Sequence, residues 1–214
     1  MDWDVDELLA EPTTEVEQDY SSLCRQWLNE RMAPELLPFA EDVVTRVTER
    51  LRAQVETLQT SIGTANATGY RSVLIQIELE RIKFVLRSYL RTRLSKIDDY
   101  GQYIQANPSV LLNLSSTERQ YLLRHQQLLH RHYMTSFLRE LPIKMNKLDD
   151  TIGRTSMVAA PDMESPVFCM VNETIEENLR VAENEYVTLD RGDILLLKYS
   201  AIANYVRTGA VSLI

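Results

Sequence analysis

The chain has 214 residues, 44% of them hydrophobic and 25% charged, which is enough for one domain or two small ones with a real core. Its formal net charge is −8, yet eight acids and no base fall within the first 20 residues, so the remaining body is neutral. A neutral body lacks the overall positive field of a nonspecific nucleic-acid-binding protein, which argues against that class.

The two cysteines, Cys24 and Cys169, lie far apart and outside any CxxC spacing. This usage argues against a disulfide scaffold and favours a reducing compartment. The first residues are acidic where a secretory signal begins with basic ones, and no apolar run approaches the length of a membrane span. We therefore expect an intracellular protein with no membrane segment.

No pattern of residues predicts catalysis. His125 and His132 share a face of a predicted helix but lie about 10.5 Å apart along it, too far for one metal ion, and His130 points elsewhere. The sequence contains no P-loop, GxSxG, HExxH or GxGxxG pattern. We therefore predict no enzyme, no cofactor and no metal.

The N-terminal residues 1–19 are acidic and are predicted to be disordered in isolation. Val5, Leu8 and Leu9 fall on one side of a short helix, with Asp6 and Glu7 among the acids around them. Such a segment can fold on entering a groove, its apolar residues acting as anchors. A solvated acidic tail is the alternative; the apolar spacing favours a docking peptide.

From Tyr20 the helical period begins, and apolar residues recur at steps of three or four through four long segments. Pro34 and Pro142 mark helix ends, while Ser115 and Glu118 form a capping-box pattern at a helix start. The predicted helices run from residue 20 to before residue 34, and over 39–62, 70–99 and 115–141. Four long helices with short connections predict a bundle over residues 20–142.

The residue pattern of the C-terminal part differs from that of the helical part. Residues 143–166 show neither period and are predicted to be a linker. Short strand-like runs follow at 167–171, 186–189, 194–199 and 210–214, separated by polar and glycine-containing turns. The predicted fold class is α+β, an all-α helical bundle followed by a small β-rich domain over 167–214. A piece of about 50 residues is marginal alone, so it should lean on another surface.

The third predicted helix contains six Lys or Arg residues between Arg81 and Lys96, with no acid among them. At about 100° per residue an apolar face forms, while Phe84 and Ile77 lie on the otherwise polar side as a second patch. Arg93 projects into the apolar face, where it needs a carboxylate or carbonyl partner. The apolar face consists of Ile75, Leu79, Ile82, Leu86, Leu90, Leu94 and Ile97.

Three interpretations of this helix remain open. It is a central bundle helix with a solvated basic edge, a helix packed both on its own bundle and on another subunit, or a DNA-contacting helix. The basic edge would be Lys83, Arg87 and Arg91, with Glu80 able to offset part of it. A DNA-binding helix groups its bases on one face, whereas here the charge is scattered, which favours contact with protein.

Three stretches resemble a known family: QWLNERMAPELLPF (26–39), IQIELERIKFVLRSYLRTRLSKID (75–98) and the terminal TGAVSLI (208–214). They are similar to the Sld-five subunits of the GINS complex, over residues 20 to 214 and most weakly at 101–113 and in the linker. The resemblance implies a nuclear, non-catalytic subunit of a heterotetramer with three Psf-type subunits. That tetramer joins the Mcm ring and the Cdc-forty-five protein in the replicative helicase of chromosomal DNA replication, with DNA contact only indirect or weak.

The resemblance also implies interaction residues. Val5 and the following Asp6, Glu7, Leu8 and Leu9 match a motif that docks on the Ctf-four/AND-one hub, although Pro12 would end that helix early. Other residues are expected at a subunit interface or in the core. They are Trp27, Met32, Leu36, Leu37, Ile82, Phe84, Leu86, Leu90, Arg93, Leu94, Val211, Leu213 and Ile214.

Overall fold

A computed structural model describes residues 14–62, 70–142, 147–149, 151–152, 155–180 and 186–214. Helices come first and a small antiparallel sheet region follows, which confirms the α+β class with an N-terminal helical part. The four long helices are α1 (Thr14–Met32), α2 (Glu41–Ile62), α3 (Tyr70–Asp99) and α6 (Ser116–Ser136). The short ones are α4 (Gly101–Ala106), α5 (Pro108–Leu111) and a 3₁₀ turn (Leu138–Glu140).

The C-terminal part contains seven short strands and one helix among its described residues. The strands are β1 (Thr151–Ile152), β2 (Thr155–Ser156), β3 (Pro166–Val171), β4 (Ile175–Arg180), β5 (Tyr186–Leu189), β6 (Ile194–Lys198) and β7 (Val211–Leu213), and α7 is Tyr199–Thr208. Strand β3 is central in a three-stranded antiparallel sheet of order β6-β3-β7. The pairs β1-β2 and β4-β5 form separate antiparallel ribbons.

Several helix boundaries differ from the prediction. Helix α1 begins at Thr14, so residues 14–19 are helical rather than part of the tail, and Asp19 is buried between Arg46 (3.1 Å) and Arg50 (2.8 Å). These ion pairs stabilise the first turns of α1, which the acidic composition predicted to be disordered. The proposed docking peptide at 5–9 lies outside the described residues. Helix α2 starts at residue 41, α6 stops at residue 136, and the 101–113 connection holds α4 and α5.

The C-terminal prediction missed one strand and one helix. Between β6 and β7 the chain forms α7 instead of a turn, because Ile202, Ala203 and Val206 line one buried helical face. Gly209, with φ of 86°, provides the left-handed C-cap that ends α7. Strand β4 escaped prediction because an irregular register between Ile175 and Leu179 breaks the period of two.

The predicted linker is partly structured. Its described residues include the β1-β2 ribbon. Near its end, the Ser165 carbonyl accepts a hydrogen bond from the Tyr199 amide (3.0 Å), and the Met163 carbonyl accepts one from the Ser200 amide (2.8 Å). These last residues therefore belong to the C-terminal fold.

The chain divides into two compact units, and the division falls within α1 and α3. The first unit comprises residues up to 27 with 40–88, and Leu23, Val47, Leu51, Leu79 and Val85 form its buried core. The second unit comprises residues 28–39 and 89–214 and has two cores. One core joins Leu36 to Ile97, Ile104, Leu114 and Leu122. The other joins Ala33 and Leu37 to the β3-β6-β7 sheet, α7 and the β4-β5 ribbon.

The final strand offers a matched test of this core. Leu213 is 2% exposed and Ile214 is 43% exposed. Truncating Leu213→Ala should lower the free energy of unfolding by about 3 kcal/mol, because it leaves a cavity. Ile214→Ala should cost below about 1 kcal/mol. Urea unfolding of both variants measures the difference, and equal losses would contradict the placement of β7.

Candidate interaction site

Arg93 is fully buried in the second unit, and all five of its N–H donors are used. Its Nε and Nη2 bind the two carboxylate oxygens of Glu118 at 2.7 and 3.1 Å, and its Nη1 binds Glu30 Oε2 at 2.9 Å. The carbonyls of Leu37 (2.7 Å) and Asn113 (3.0 Å) accept the remaining bonds. The partner that the sequence required for Arg93 is therefore intramolecular.

Lys96 completes the cluster one turn further along α3. Its Nζ donates to Glu30 Oε1 at 2.8 Å, to the Glu30 carbonyl and to the Glu35 carbonyl at 2.7 Å. Glu30 thus bridges Arg93 and Lys96 with its two oxygens. Because every charge has opposite charges and hydrogen bonds around it, burial of this cluster is tolerated.

Glu35 ties the same segment to α7. Its Oε1 accepts a hydrogen bond from the Tyr199 hydroxyl at 2.7 Å, and both of its oxygens bind Arg207 Nη2, at 2.9 and 2.7 Å. Asn29 acts in parallel, since its Oδ1 accepts the Leu213 amide at 2.8 Å and so caps the outer edge of β7. Residues 28–39 therefore anchor the C-terminal sheet within the second unit.

These contacts explain what the residues of the stretch QWLNERMAPELLPF (26–39) do in the fold. Glu30 binds two cations of α3 and Glu35 binds α7. Leu36 enters one core of the second unit and Leu37 enters the other. The last two turns of α1 and the irregular residues after Met32 therefore hold α3, α6 and the C-terminal sheet together.

The environment shifts the pKa values of several members of this cluster. Burial lowers the pKa of Lys96, with Glu30 opposing the effect. Burial also acts to lower the pKa of Arg93, but the hydrogen bond to Glu118 and the charge of Glu30 outweigh it and raise that pKa. Burial, followed by the hydrogen bond to Glu35, raises the pKa of the Tyr199 hydroxyl above its usual value.

The raised pKa of Tyr199 predicts that the folded protein loses stability at alkaline pH. Above about pH 10 the unfolded chain releases the tyrosine proton and the folded chain keeps it, so stability is lost as pH rises. Tyr199→Phe should be less stable than wild type at pH 8, by about 1.5 to 3 kcal/mol, because Glu35 loses a donor. The difference in the free energy of unfolding between the two proteins should decrease by about 1.4 kcal/mol per pH unit above pH 10. Urea unfolding at pH 8 to 11 tests this, and a constant gap would contradict it.

Helix α3 also exposes an apolar surface in the first unit, which we call the α3 stripe. It lies on the side of the helix opposite Leu79 and Leu86, which face the unit's core. Ile77 is 57% exposed and Phe84 is 64% exposed. The α3 stripe consists of Tyr70, Val73, Leu74, Ile77 and Phe84, all exposed. The second apolar patch predicted from Ile77 and Phe84 is therefore present and larger than expected.

The predicted basic edge is only partly free. Lys83 Nζ pairs with Glu80 Oε1 at 2.8 Å, as the spacing of three residues predicted. Arg87 and Arg91 are exposed and make no ion pair with any described residue. Two exposed guanidinium groups are a much smaller basic surface than six cations suggested, because Arg93 and Lys96 are buried.

The other residues expected in a core or interface fall into three groups. Trp27, Ile82 and Leu86 are half-buried against the core of the first unit, and Trp27 Nε1 donates to Ser88 Oγ at 2.9 Å. Leu90 and Leu94 are half-buried, whereas Val85, Tyr89 and Lys96 are buried, so the most buried side of α3 is rotated from the predicted line at these positions, although Ile97 on that line is fully buried. The fully buried residues are Leu36, Leu37, Val211 and Leu213, and the exposed ones are Met32 and Ile214.

Sequence reasoning missed a second exposed apolar surface on the β6-β3-β7 sheet. Phe168 lies opposite Leu196, and Met170 lies opposite Ile194, and all four side chains are exposed. The available signal was the strand VFCMV, which is apolar at every position and so predicts apolar residues on both sheet faces. Tyr199 and Arg207 were also missed, because only the fold brings them to Glu35.

Within the described ranges, no three His, Cys, Asp or Glu side chains are grouped so that they could hold a metal ion. His125 stacks on Tyr121 with ring centroids 5.7 Å apart and lies 3.2 Å from Asp98, at the surface. Over the same ranges, no helix has the length and apolarity needed to cross a membrane.

Comparison with known proteins assigns this arrangement. A family model described as "Sld5: GINS complex protein helical bundle domain" matches residues 49–137, which include most of α2, α3 and α6. A second, "DNA replication complex GINS protein SLD5 C-terminus", matches residues 161–214, which include β3 to β7. The chain belongs to the Sld5 family of GINS complex proteins. The start of the second match at residue 161 agrees with the contacts of Met163 and Ser165 described above.

Relatives in this family span the whole chain. A protein of Schizosaccharomyces pombe named "DNA replication complex GINS protein sld5" is 69% identical over 214 residues, covering 100% of both chains. A Yarrowia lipolytica relative, "DNA replication complex GINS protein SLD5", is 38% identical over 92% of this chain and 76% of its own. One from Chaetomium globosum with the same name is 34% identical over 99% and 100%. The resemblance to the Sld5 family found in three short stretches is thus confirmed along the full length.

Proposed function

We propose that this chain is a non-catalytic structural subunit of a nuclear GINS heterotetramer that it forms with three Psf-type subunits. The tetramer joins the Mcm ring and the Cdc-forty-five protein in the replicative helicase, and it serves initiation and elongation of chromosomal DNA replication. The observation that carries the proposal is the exposed apolar surface on the central helix, beside a buried ionic cluster in which every donor of Arg93 is paired. Such a surface on a soluble protein marks a place where another protein binds.

Reconstitution tests the helicase role. An immobilised Mcm ring should retain the Cdc-forty-five protein when all four GINS subunits are present. It should fail to do so when this chain is left out of the mixture. Equal retention by the other three subunits alone would contradict the proposal.

A second candidate function is direct DNA contact through Lys83, Arg87 and Arg91. It is favoured by the exposure of Arg87 and Arg91, which make no ion pair with any described residue. Each phosphate contact steepens the salt dependence of binding. Replacing all three by Glu should therefore weaken DNA retention by the tetramer and flatten its salt dependence; unchanged retention would remove this candidate.

The N-terminal peptide at residues 5–9 is proposed to bind the Ctf-four/AND-one hub. Its support is the sequence pattern alone, with apolar anchors Val5, Leu8 and Leu9 among acids. Deletion of residues 1–13 should abolish hub binding by the tetramer and leave its assembly intact. Hub binding that survives the deletion would contradict the proposal.

A further inference from the structure

We propose that the outer edge of strand β6 binds an extended, basic segment of a partner protein outside the tetramer as an additional antiparallel strand. The inference goes beyond the proposed function. It assigns a docking surface, the backbone conformation of the segment that binds there and the sign of that segment's charge.

The backbone of β6 has hydrogen-bonding groups that face away from its sheet. The Val171 amide donates to the Asp193 carbonyl at 3.0 Å, so the polar backbone groups of Asp193 face β3. Because this direction alternates along an antiparallel strand, the backbone groups of Ile194 and Leu196 face outward. Strand β6 is the terminal strand in the order β6-β3-β7, so none of the described strands pairs with these outward groups.

Apolar side chains lie beside this open edge. Ile194 is 63% exposed and Leu196 is 55% exposed, and on the same sheet face Phe168 and Met170 of β3 are exposed as well. An exposed apolar edge strand is a template for the addition of another strand. The opposite edge differs, because Asn29 Oδ1 already accepts an outward amide of β7. Strand addition is therefore expected at β6.

The charge of the C-terminal part determines the chemistry of the added segment. Residues 161–214 contain nine acids and four bases, a net charge of −5. Two of the four bases, Lys198 and Arg207, are already paired with carboxylates. Asp190 and Asp193, in the turn before β6, are exposed and make no ion pair with a described residue. A segment that carries Lys or Arg is complementary to this charge.

The alternation of side chains across a sheet predicts the residue pattern of the segment. In antiparallel addition, the residue directly opposite Leu196 points to the same sheet face and should be apolar. Its two neighbours in the segment point to the other face, on which Asp193 lies by the same alternation. We therefore expect β-branched residues that alternate with Lys or Arg.

Charge argues against three other occupants of this edge. The N-terminal residues 1–13 contain five acids and no base, a second copy of the chain brings the same acidic surface, and nucleic acid brings phosphates. Each of these would place like charges together. An edge with two outward-facing residues also gives too small a contact for an obligate subunit interface. This size favours a partner that binds reversibly from outside the tetramer.

Peptide titration of the co-expressed tetramer tests the inference. The probe is a short fluorescent peptide in which valine alternates with lysine, and its binding is followed by fluorescence anisotropy. In antiparallel addition the backbone groups of valine pair with those of Leu196, whereas the backbone groups of lysine face solvent. Methylation of the valine amide nitrogens should therefore abolish binding. Methylation of the lysine amide nitrogens, which leaves the charge of the peptide the same, should not change it.

Hydrogen exchange at residue resolution locates the bound peptide. The unmethylated peptide should slow exchange of the Ile194 and Leu196 amides at least about tenfold. Equal binding of all three peptides would show that charge alone attracts them and would overturn the inference. Absence of binding, loss of binding on lysine methylation only, or unchanged exchange at these two amides would overturn it as well.

Leu196→Glu provides a test from the protein side. A purely electrostatic contact with the basic peptide would tighten, whereas an added strand loses an apolar contact and covers a carboxylate, so affinity should fall about tenfold. The matched control is Met157→Glu, since Met157 is 56% exposed and lies outside the β6-β3-β7 sheet. The control should bind as wild type. Unchanged or higher affinity in Leu196→Glu would overturn the inference, and the methylated peptides remain decisive if that variant does not fold.

Discussion

Arg93→Glu is expected to leave the chain insoluble or unable to enter the tetramer. The substitution places a third carboxylate beside Glu30 and Glu118 at a site with no solvent exposure. It also leaves the carbonyls of Leu37 and Asn113 without the hydrogen bonds that Arg93 donates. Breaking a buried ion pair by removing one partner costs about 3 to 5 kcal/mol. The whole stability of a domain is about 5 to 15 kcal/mol. Soluble yield and light scattering after co-expression measure the effect.

The matched control is Arg124→Glu, which makes the same change of charge at an exposed position of α6. It should express and assemble as wild type, because a surface substitution changes stability by about 0.5 kcal/mol or less. Wild-type assembly and melting temperature in Arg93→Glu would show that the ionic cluster is dispensable. That result would contradict the structural account of the second unit.

Glu35→Lys should release the C-terminal sheet from residues 28–39. The new cation would face Arg207 and lie near Lys96, and the Tyr199 hydroxyl would lose its acceptor. At a cost of about 3 to 5 kcal/mol for a broken buried pair, amide exchange in β3, α7 and β7 should accelerate by more than about a hundredfold. Hydrogen exchange followed by mass spectrometry reports each segment separately.

Glu173→Lys is the control for this variant, because Glu173 is exposed in the same unit. Its exchange should match wild type throughout. If Glu35→Lys also leaves β3, α7 and β7 protected, the apolar contacts of Ala33 and Leu37 are sufficient to hold the sheet. The role assigned here to Glu35 would then be wrong.

Local patterns in the sequence predicted much of the helical part. The period of apolar residues placed α2 and α3 within two residues, and the Ser115–Glu118 capping box is formed as expected. The need of Arg93 for a partner followed from its position on an apolar face. Its partners could not be read from the sequence, since Glu30 and Glu118 lie 63 and 25 residues away.

The errors came from features that depend on tertiary contacts. Lys96 is buried on α3 although its type predicts exposure, and that burial depends on Glu30 and two carbonyls. Helix α7 follows strand β6 directly with no glycine or proline between them, and its short apolar run is compatible with a strand or a helix. Of the α3 stripe, the sequence predicted only Ile77 and Phe84 to lie on the exposed side. Val73 and Leu74 could equally have been core residues.

The central claim is that this chain is an obligate building block of a four-subunit assembly. Size-exclusion chromatography with light scattering, on the chain alone and co-expressed with three Psf-type subunits, tests it most directly. We predict that the chain alone aggregates through the α3 stripe and the exposed apolar face of the β6-β3-β7 sheet. Co-expressed with the three Psf-type subunits, it should form a stable 1:1:1:1 particle. A well-behaved monomer that ignores those partners would contradict the account.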